Sequence, residues 1–177
     1  MLKWTLAAVA AVIVVFLIVV ALQPSDFRIE RSATMRAPAP AAFAQVNDFQ
    51  NWQAWSPWEK VDPALKRQYE GPKAGTGAVY AWQGNKDVGE GRMTIMDSKP
   101  AELVRNRLEF FKPMAAVNTT EFRFQPIGES TAVTWTMAGQ NTFLSKAISL
   151  FVDMDRMVGG MFDQGLTQMK AIVERRA

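Results

Sequence analysis

The sequence predicts an α+β domain, an antiparallel sheet closed on one face by a long C-terminal helix and carried behind one N-terminal transmembrane helix. Three observations lead there. Trp4 to Leu22 is a run of 19 residues without a charge. Between Phe27 and Gly139, short segments of alternating apolar and polar residues are separated by turn residues. From Phe143 to Arg176, Leu144, Ala147, Phe151, Met154, Val158, Met161, Gly165, Met169 and Ile172 recur every three or four positions, one apolar stripe on a helix. Such a stripe needs a surface to cover, and the strands before it supply one.

At 1.5 Å per residue the charge-free run spans about 28 Å, close to the roughly 30 Å of a bilayer's hydrocarbon. It reads as an uncleaved membrane anchor, since the apolar region of a signal peptide runs only about 7–15 residues, although Val19 and Ala21 are compatible with a cleavage site. Residues 1–24 are then the anchor and 25–177 the domain, with the membrane contacted through residues 4–22. Lys3 stands on one side and Arg28, Arg31 and Arg36 on the other, so basic flanks do not fix the orientation. The short N-terminal flank places the domain on the periplasmic or extracytoplasmic side.

Phe27 to Met35 alternates, with Phe27, Ile29, Arg31, Ala33 and Met35 on one face, and reads as the first strand. Pro38 and Pro40 precede a short helix through Ala41, Ala42, Phe43 and Val46, whose first turn tolerates proline. Phe49, Trp52, Trp55 and Trp58 then fall three apart, a spacing that drifts around an α-helix and nearly aligns on a tighter one ending at Pro57. Six further strands are predicted: Lys66–Glu70, Ala78–Gln83, Val88–Met96, Leu103–Phe110, Ala116–Gln125 and Thr131–Gly139. Gly84-Asn85 and the Pro126–Ser130 segment supply hairpin turns, and such short connections imply antiparallel pairing. In the last helix Asp153 and Asp155 offer caps that split it near residue 153. Gly159, Gly160 and Gly165 mark either a kink or space left beneath the helix by the missing side chains, each costing about 1 kcal/mol against alanine.

Composition narrows the chemistry. The chain has no Cys and no His, which removes the thiol nucleophile, the imidazole base and the commonest transition-metal ligands. Asp153, Asp155 and Asp163 suit capping or surface roles better than a metal site, so no cofactor or metal is expected. A net charge of +3, with basic residues scattered among acids, lacks the footprint of a nucleic-acid binder. Gly75-x-Gly77 and Gly89-x-Gly91 do not open a helix, so no phosphate-cradling loop is indicated.

Asp48-Phe49, Trp52, Trp55-Ser56-Pro57-Trp58, Asp62-Pro63, Tyr69-x-Gly71-Pro72, Gly75-x-Gly77, Tyr80-x-Trp82-x-Gly84-Asn85, Gly89-x-Gly91-x-Met93, Thr134-Trp135 and Met154-Asp155 through Gly165-Leu166 stand in an order that resembles the START-like (SRPBCC) superfamily, in its polyketide cyclase/dehydrase-related branch. The resemblance runs from Phe27 to about Glu174. It implies a helix-grip fold, a seven-stranded antiparallel sheet curved around the long helix, with an elongated cavity for an apolar ligand between them. It does not by itself assign an activity.

Side chains alternate along strands, so one face can be followed across the sheet. With Trp82 taken as concave, that face carries Tyr80, Trp82, Gly89, Gly91, Met93, Ile95, Val104, Asn106, Leu108, Phe110, Asn118, Thr120, Phe122, Phe124, Val133, Trp135 and Met137. It is apolar but for Tyr80, Asn106, Asn118 and Thr120, and holds no carboxylate, as in a small-molecule pocket. The expected ligand-binding residues are therefore Trp55, Trp58, Tyr80, Trp82, Gly89, Gly91, Met93, Asn106, Phe110, Asn118, Thr120, Phe122, Trp135 and Met137, with Met157 and Met161 from the helix. The paired glycines are expected to leave space for ligand.

Three functions remain open at this point. One is a tethered, non-enzymatic domain binding a lipid or other apolar small molecule. Another is a cyclase- or dehydratase-like enzyme using Tyr80. The third is a protein-interaction module whose cavity is filled by its own side chains.

Overall fold

The computed structural model describes residues 2–175. Helix α1 (Leu2–Ala21) is followed by β1 (Asp26–Met35), α2 (Ala39–Asn47), a 3-10 turn (Phe49–Asn51), α3 (Trp52–Trp55), a second 3-10 turn (Pro57–Lys60), six strands and two helices. The strands are β2 (Lys66–Glu70), β3 (Val79–Gln83), β4 (Glu90–Lys99), β5 (Leu103–Lys112), β6 (Ala116–Ile127) and β7 (Ser130–Gln140); the helices are α4 (Phe143–Ser149) and α5 (Met154–Val173). All seven strands form one antiparallel sheet in the order β1-β7-β6-β5-β4-β3-β2. This is the α+β helix-grip arrangement the sequence predicts.

Helix α1 is long and apolar enough to cross a membrane by length and composition. It is not loosely attached. The Asn141 N–H donates to the Ser25 carbonyl at 2.7 Å, Asn141 Nδ2 to the Pro24 carbonyl at 3.4 Å, and Lys146 Nζ to Ser25 Oγ at 2.9 Å. The joint between α1 and the sheet is thus pinned to the corner between β7 and α4.

The break before α5 is real, with Asp153 accepting from the Arg156 N–H at 2.9 Å as its N-cap. The break also resets the helix phase. Leu144, Phe151 and Met154 are exposed, and the buried face of α5 is Gly159, Phe162, Gly165, Leu166, Met169 and Val173. Phe162 therefore replaces Met161 as the centre of the stripe; Met161 is half-buried beside it.

Two of the helix glycines make room for named groups. A Cβ on Gly159 would overlap the Arg31 guanidinium, which reaches from the inner face of β1 to Asp155 at 2.8 Å and Asp163 at 3.3 Å. A Cβ on Gly165 would lie 3.0 Å from the Trp135 ring and 3.2 Å from Pro57. Gly160 faces open space. Thermal melts of the chain in detergent should show Gly160→Ala gaining about 1 kcal/mol from helix propensity alone. Gly159→Ala should show no such gain, because its methyl displaces Arg31 from both aspartates.

Candidate functional site

The inner face follows strand parity. Met93, Ile95, Val104, Asn106, Leu108, Asn118, Thr120, Phe122, Phe124, Val133, Trp135 and Met137 are all buried. Arg31, Ala33, Arg67 and Tyr69, on the edge strands β1 and β2, share it, since Arg31 pairs with Trp135 and Arg67 with Trp82 in the ladders.

Its centre is filled by rings. Trp135 stacks on Phe162 with centroids 4.0 Å apart and planes 8° apart, and on Phe122 at 4.7 Å. Trp52, Trp55 and Trp58 meet Trp135 edge-on at 5.5–6.1 Å. Trp52 and Trp55 are sealed in the core, their indole N–H groups donating to the Val46 and Gln45 carbonyls at 3.0 Å each. The tryptophan spacing thus places Trp55 in the core and leaves Trp58 half-buried against Phe162.

The two strand glycines serve the protein itself, contrary to the expectation of ligand space. Gly89 precedes β4 with φ +69°, and a Cβ there would overlap the Lys112 carbonyl. Gly91 lies under Trp82: a Cβ would overlap the indole and stand 2.5 Å from the Glu109 carbonyl oxygen. Trp82 and Phe110 then meet edge-on at 5.9 Å, both half-buried. Met157 is 54% exposed and does not face the sheet.

Exposure is uneven along the strands. Toward the end from which α1 leaves the sheet, Phe27, Trp82, Phe110 and Gly139 are half-buried, whereas Met35, Ile95, Val104, Phe124 and Val133, toward the other end, are sealed. Two surface depressions, of about 530 and 320 Å³, have no residue of α5 in their lining. One runs along Asp26–Arg28 and Ala138–Gln140, the other between Phe49, Tyr69–Lys73 and Ala78–Val79.

Polar groups on the inner face fall into two sets. In the first, Asn106 Nδ2 donates to Thr120 Oγ1 at 3.2 Å, while Asn106 Oδ1 and Trp135 Nε1 are buried and have no partner among the described residues. The Asn118 side chain lies against Gly139, whose missing Cβ makes room for it.

The second set centres on a carboxylate that strand parity misses. Glu59, in the 3-10 turn after Trp58, has a side chain only 5% exposed; it accepts from Tyr80 Oη and Arg67 Nε, both at 2.5 Å. Burial, and then the bond to Glu59, raise the Tyr80 phenol far above its ordinary value. Burial likewise raises Tyr69, which stacks on Tyr80 at 5.4 Å. A phenol so raised, with its proton already donated to a carboxylate, is a structural donor and a poor acid. The hint in the sequence was the register, since following the inner face one strand past Trp82 reaches Arg67, a cation that needs a partner. Glu59→Gln, which keeps the acceptor for Tyr80 but removes the charge facing Arg67, should cost about 1–2 kcal/mol in a denaturant titration.

Among the described residues no group of three or more Asp or Glu is placed to hold a metal ion.

The family described as polyketide cyclase/dehydrase and lipid transport matches residues 26–174. No curated protein matches significantly. Among solved structures, the ZhuI aromatase/cyclase of Streptomyces sp. R1128 is similar at TM-score 0.62 and 17% identity, over 85% of this chain and 95% of that one. The di-domain ARO/CYC StfQ of the steffimycin biosynthetic pathway gives TM-score 0.64 and 13% identity, over 86% of this chain and 52% of that one. The Aha1 dimer of Colwellia psychrerythraea gives TM-score 0.59 and 12% identity, over 84% and 96%. At these identities the likeness is one of fold.

Proposed function

This chain belongs to the polyketide cyclase/dehydrase and lipid transport family, and on that premise we propose that residues 25–177 bind an apolar small molecule, a lipid in the leading case, while residues 1–24 hold the domain at a membrane. The ligand enters between the sheet and α5 from the end where Trp82 and Phe110 are half-buried, into space that the rings of Trp58, Trp135 and Phe162 fill when no ligand is bound. Asn106, Asn118 and Thr120 orient its polar part. Trp58, Trp82, Met93, Met137 and Met161 contact its apolar part.

One observation carries this reading. Asn106 Oδ1 and Trp135 Nε1 are an acceptor and a donor buried on the inner face of the sheet with no protein partner among the described residues. An unmade bond at a buried polar group costs about 1–3 kcal/mol, and a purely structural core would remove it by using an apolar side chain. A ligand hydroxyl, which both donates and accepts, can satisfy either atom, donating to Asn106 Oδ1 or accepting from Trp135 Nε1. Phe162 and Trp58 have to shift to admit it. The Tyr80 hydroxyl is committed to Glu59, so it adds nothing in favour of an enzyme.

Native mass spectrometry of the full chain released from detergent should reveal an apolar adduct. Asn106→Leu should keep stability within about 1 kcal/mol and weaken uptake of a fluorescent long-chain alcohol roughly five- to tenfold, the effect of one hydrogen bond. Absence of any adduct, with unchanged alcohol uptake in the variant, would favour the interaction module with a filled cleft.

A further inference from the structure

Most of the large apolar side chains exposed outside α1 gather at one end of the domain. Phe111, Met114 and Val117 are exposed on and beside the β5–β6 turn, and Phe143, Leu144 and Phe151 on α4 and the segment after it. Register puts both groups at the same end of the sheet. Asp26, where β1 leaves the anchor, pairs with Gln140 at the end of β7, and Asn118, near the start of β6, pairs with Gly139. The anchor therefore leaves the sheet from the edge that carries these side chains.

Depth is fixed by a second contact. Helix α1 packs on α4, Val20 is buried, and the Phe16 ring lies 6.4 Å from the Phe151 ring. Phe16 is five residues inside the C-terminal end of α1, about 7.5 Å along its axis. Phe151, itself 80% exposed, stands at the level of a residue within the apolar helix. The joint at Pro24 and Ser25 is pinned by Asn141 and Lys146, so the domain cannot swing clear on a loose linker.

We propose that this end of the domain is seated in the bilayer: the α4 side, from Phe143 to Phe151, and the β5–β6 turn enter the acyl region beside the anchor. An apolar surface at an interface typically sinks about 5–10 Å, which matches the level of Phe151 against α1. The partner is the lipid surface that α1 crosses, so the inference rests on the tethered reading above. Its consequence is that the half-exposed inner residues Trp82 and Phe110 open onto the bilayer, and a lipid tail passes from membrane to cleft without crossing water.

The chain has no cysteine, so single introduced cysteines label cleanly. Full-length protein carrying an environment-sensitive fluorophore at Ala10→Cys, Met114→Cys, Leu144→Cys, Phe151→Cys or Ile127→Cys is reconstituted in phosphatidylcholine vesicles. A fraction of the lipid bears a nitroxide, near the top of its acyl chain in one set of vesicles and, to read the deep position 10, near the end of the chain in a second set. Ile127 is equally exposed but sits in the β6–β7 turn at the opposite end. The labels at 114, 144 and 151 should lose roughly half or more of their emission at the depth expected of an interfacial apolar face, and the label at 127 almost none. Quenching at position 10 together with none at 114, 144 and 151 overturns the seating and leaves the tether standing. No quenching at position 10 overturns the tether, and the seating with it. Labels at 144 and 151 shielded from aqueous iodide yet unquenched by the lipid would mean that protein covers this end, which also overturns the proposal. Leu144→Cys and Met114→Cys keep the test decisive should Phe151→Cys melt below the parent.

Discussion

Replacing Phe162 by alanine should cost the domain about 3–5 kcal/mol, the range for truncating a buried aromatic. Met161→Ala, one residue earlier, should cost about 1 kcal/mol, closer to an ordinary partly exposed position. Phe162 is 1% exposed, stacks on Trp135 at 4.0 Å and meets Trp58 edge-on at 6.0 Å. Its removal opens a hole in the middle of the ring stack, and Trp135, already stacked on Phe122, cannot follow without leaving its strand position. Alanine at 161 shortens a side chain at the flank of the helix. Denaturant titrations of both variants in the same detergent decide the point. Equal losses would mean that α5 presents a different face to the sheet.

That contrast marks where the sequence stops being legible. The strands could be read because their period is two and their turns are short, and the inner face from β3 to β7 could be followed because parity survives a hairpin. Helix phase does not survive a break. Residues 150–153 between α4 and α5 are not helical, so a stripe drawn through Leu144 and Phe151 into α5 arrives at Met161 where the structure places Phe162. The same break explains why Leu144 and Phe151, apolar residues at helical spacing, cover no core.

The site was legible only as a list of residue types. Parity placed Asn106, Thr120, Phe122 and Trp135 together, but nothing in a strand pattern foretells a carboxylate delivered from a 3-10 turn. Glu59 reaches Tyr80 and Arg67 because Pro57 and Trp58 turn the chain over the edge of the sheet. Arg31 is a similar case. Its place on the inner face of β1 follows from alternation, yet its pairing with Asp155 and Asp163 depends on Gly159, whose purpose is invisible until the guanidinium is seen lying against it. In both cases the missing information was which tertiary neighbour a side chain meets.

Gly91→Leu should lower stability by about 3 kcal/mol or more, at or above the upper end for overpacking a core. A glycine in the inner face of a strand can be explained by empty space or by occupied space, and the two explanations predict opposite results. If the space were empty, leucine would fill it, and the melting point would hold or rise. The structure places the Trp82 indole over Gly91 and the Glu109 carbonyl oxygen 2.5 Å from any Cβ. The indole is held there by its N–H bond to the Val88 carbonyl at 3.3 Å and by Phe110. Opposite Gly91 the ladder is already irregular, with Phe111 bulged between Phe110 and Lys112, so β5 has little slack to yield its carbonyl. A double-mutant cycle with Trp82→Ala separates the two obstacles. Truncating Trp82 removes one of them, and the combined loss should fall short of the sum because leucine then takes part of the vacated volume. The remaining loss measures the carbonyl contact. A Gly91→Leu protein that melts with the parent while losing uptake of the fluorescent alcohol would return this space to the ligand and require Trp82 to lie elsewhere.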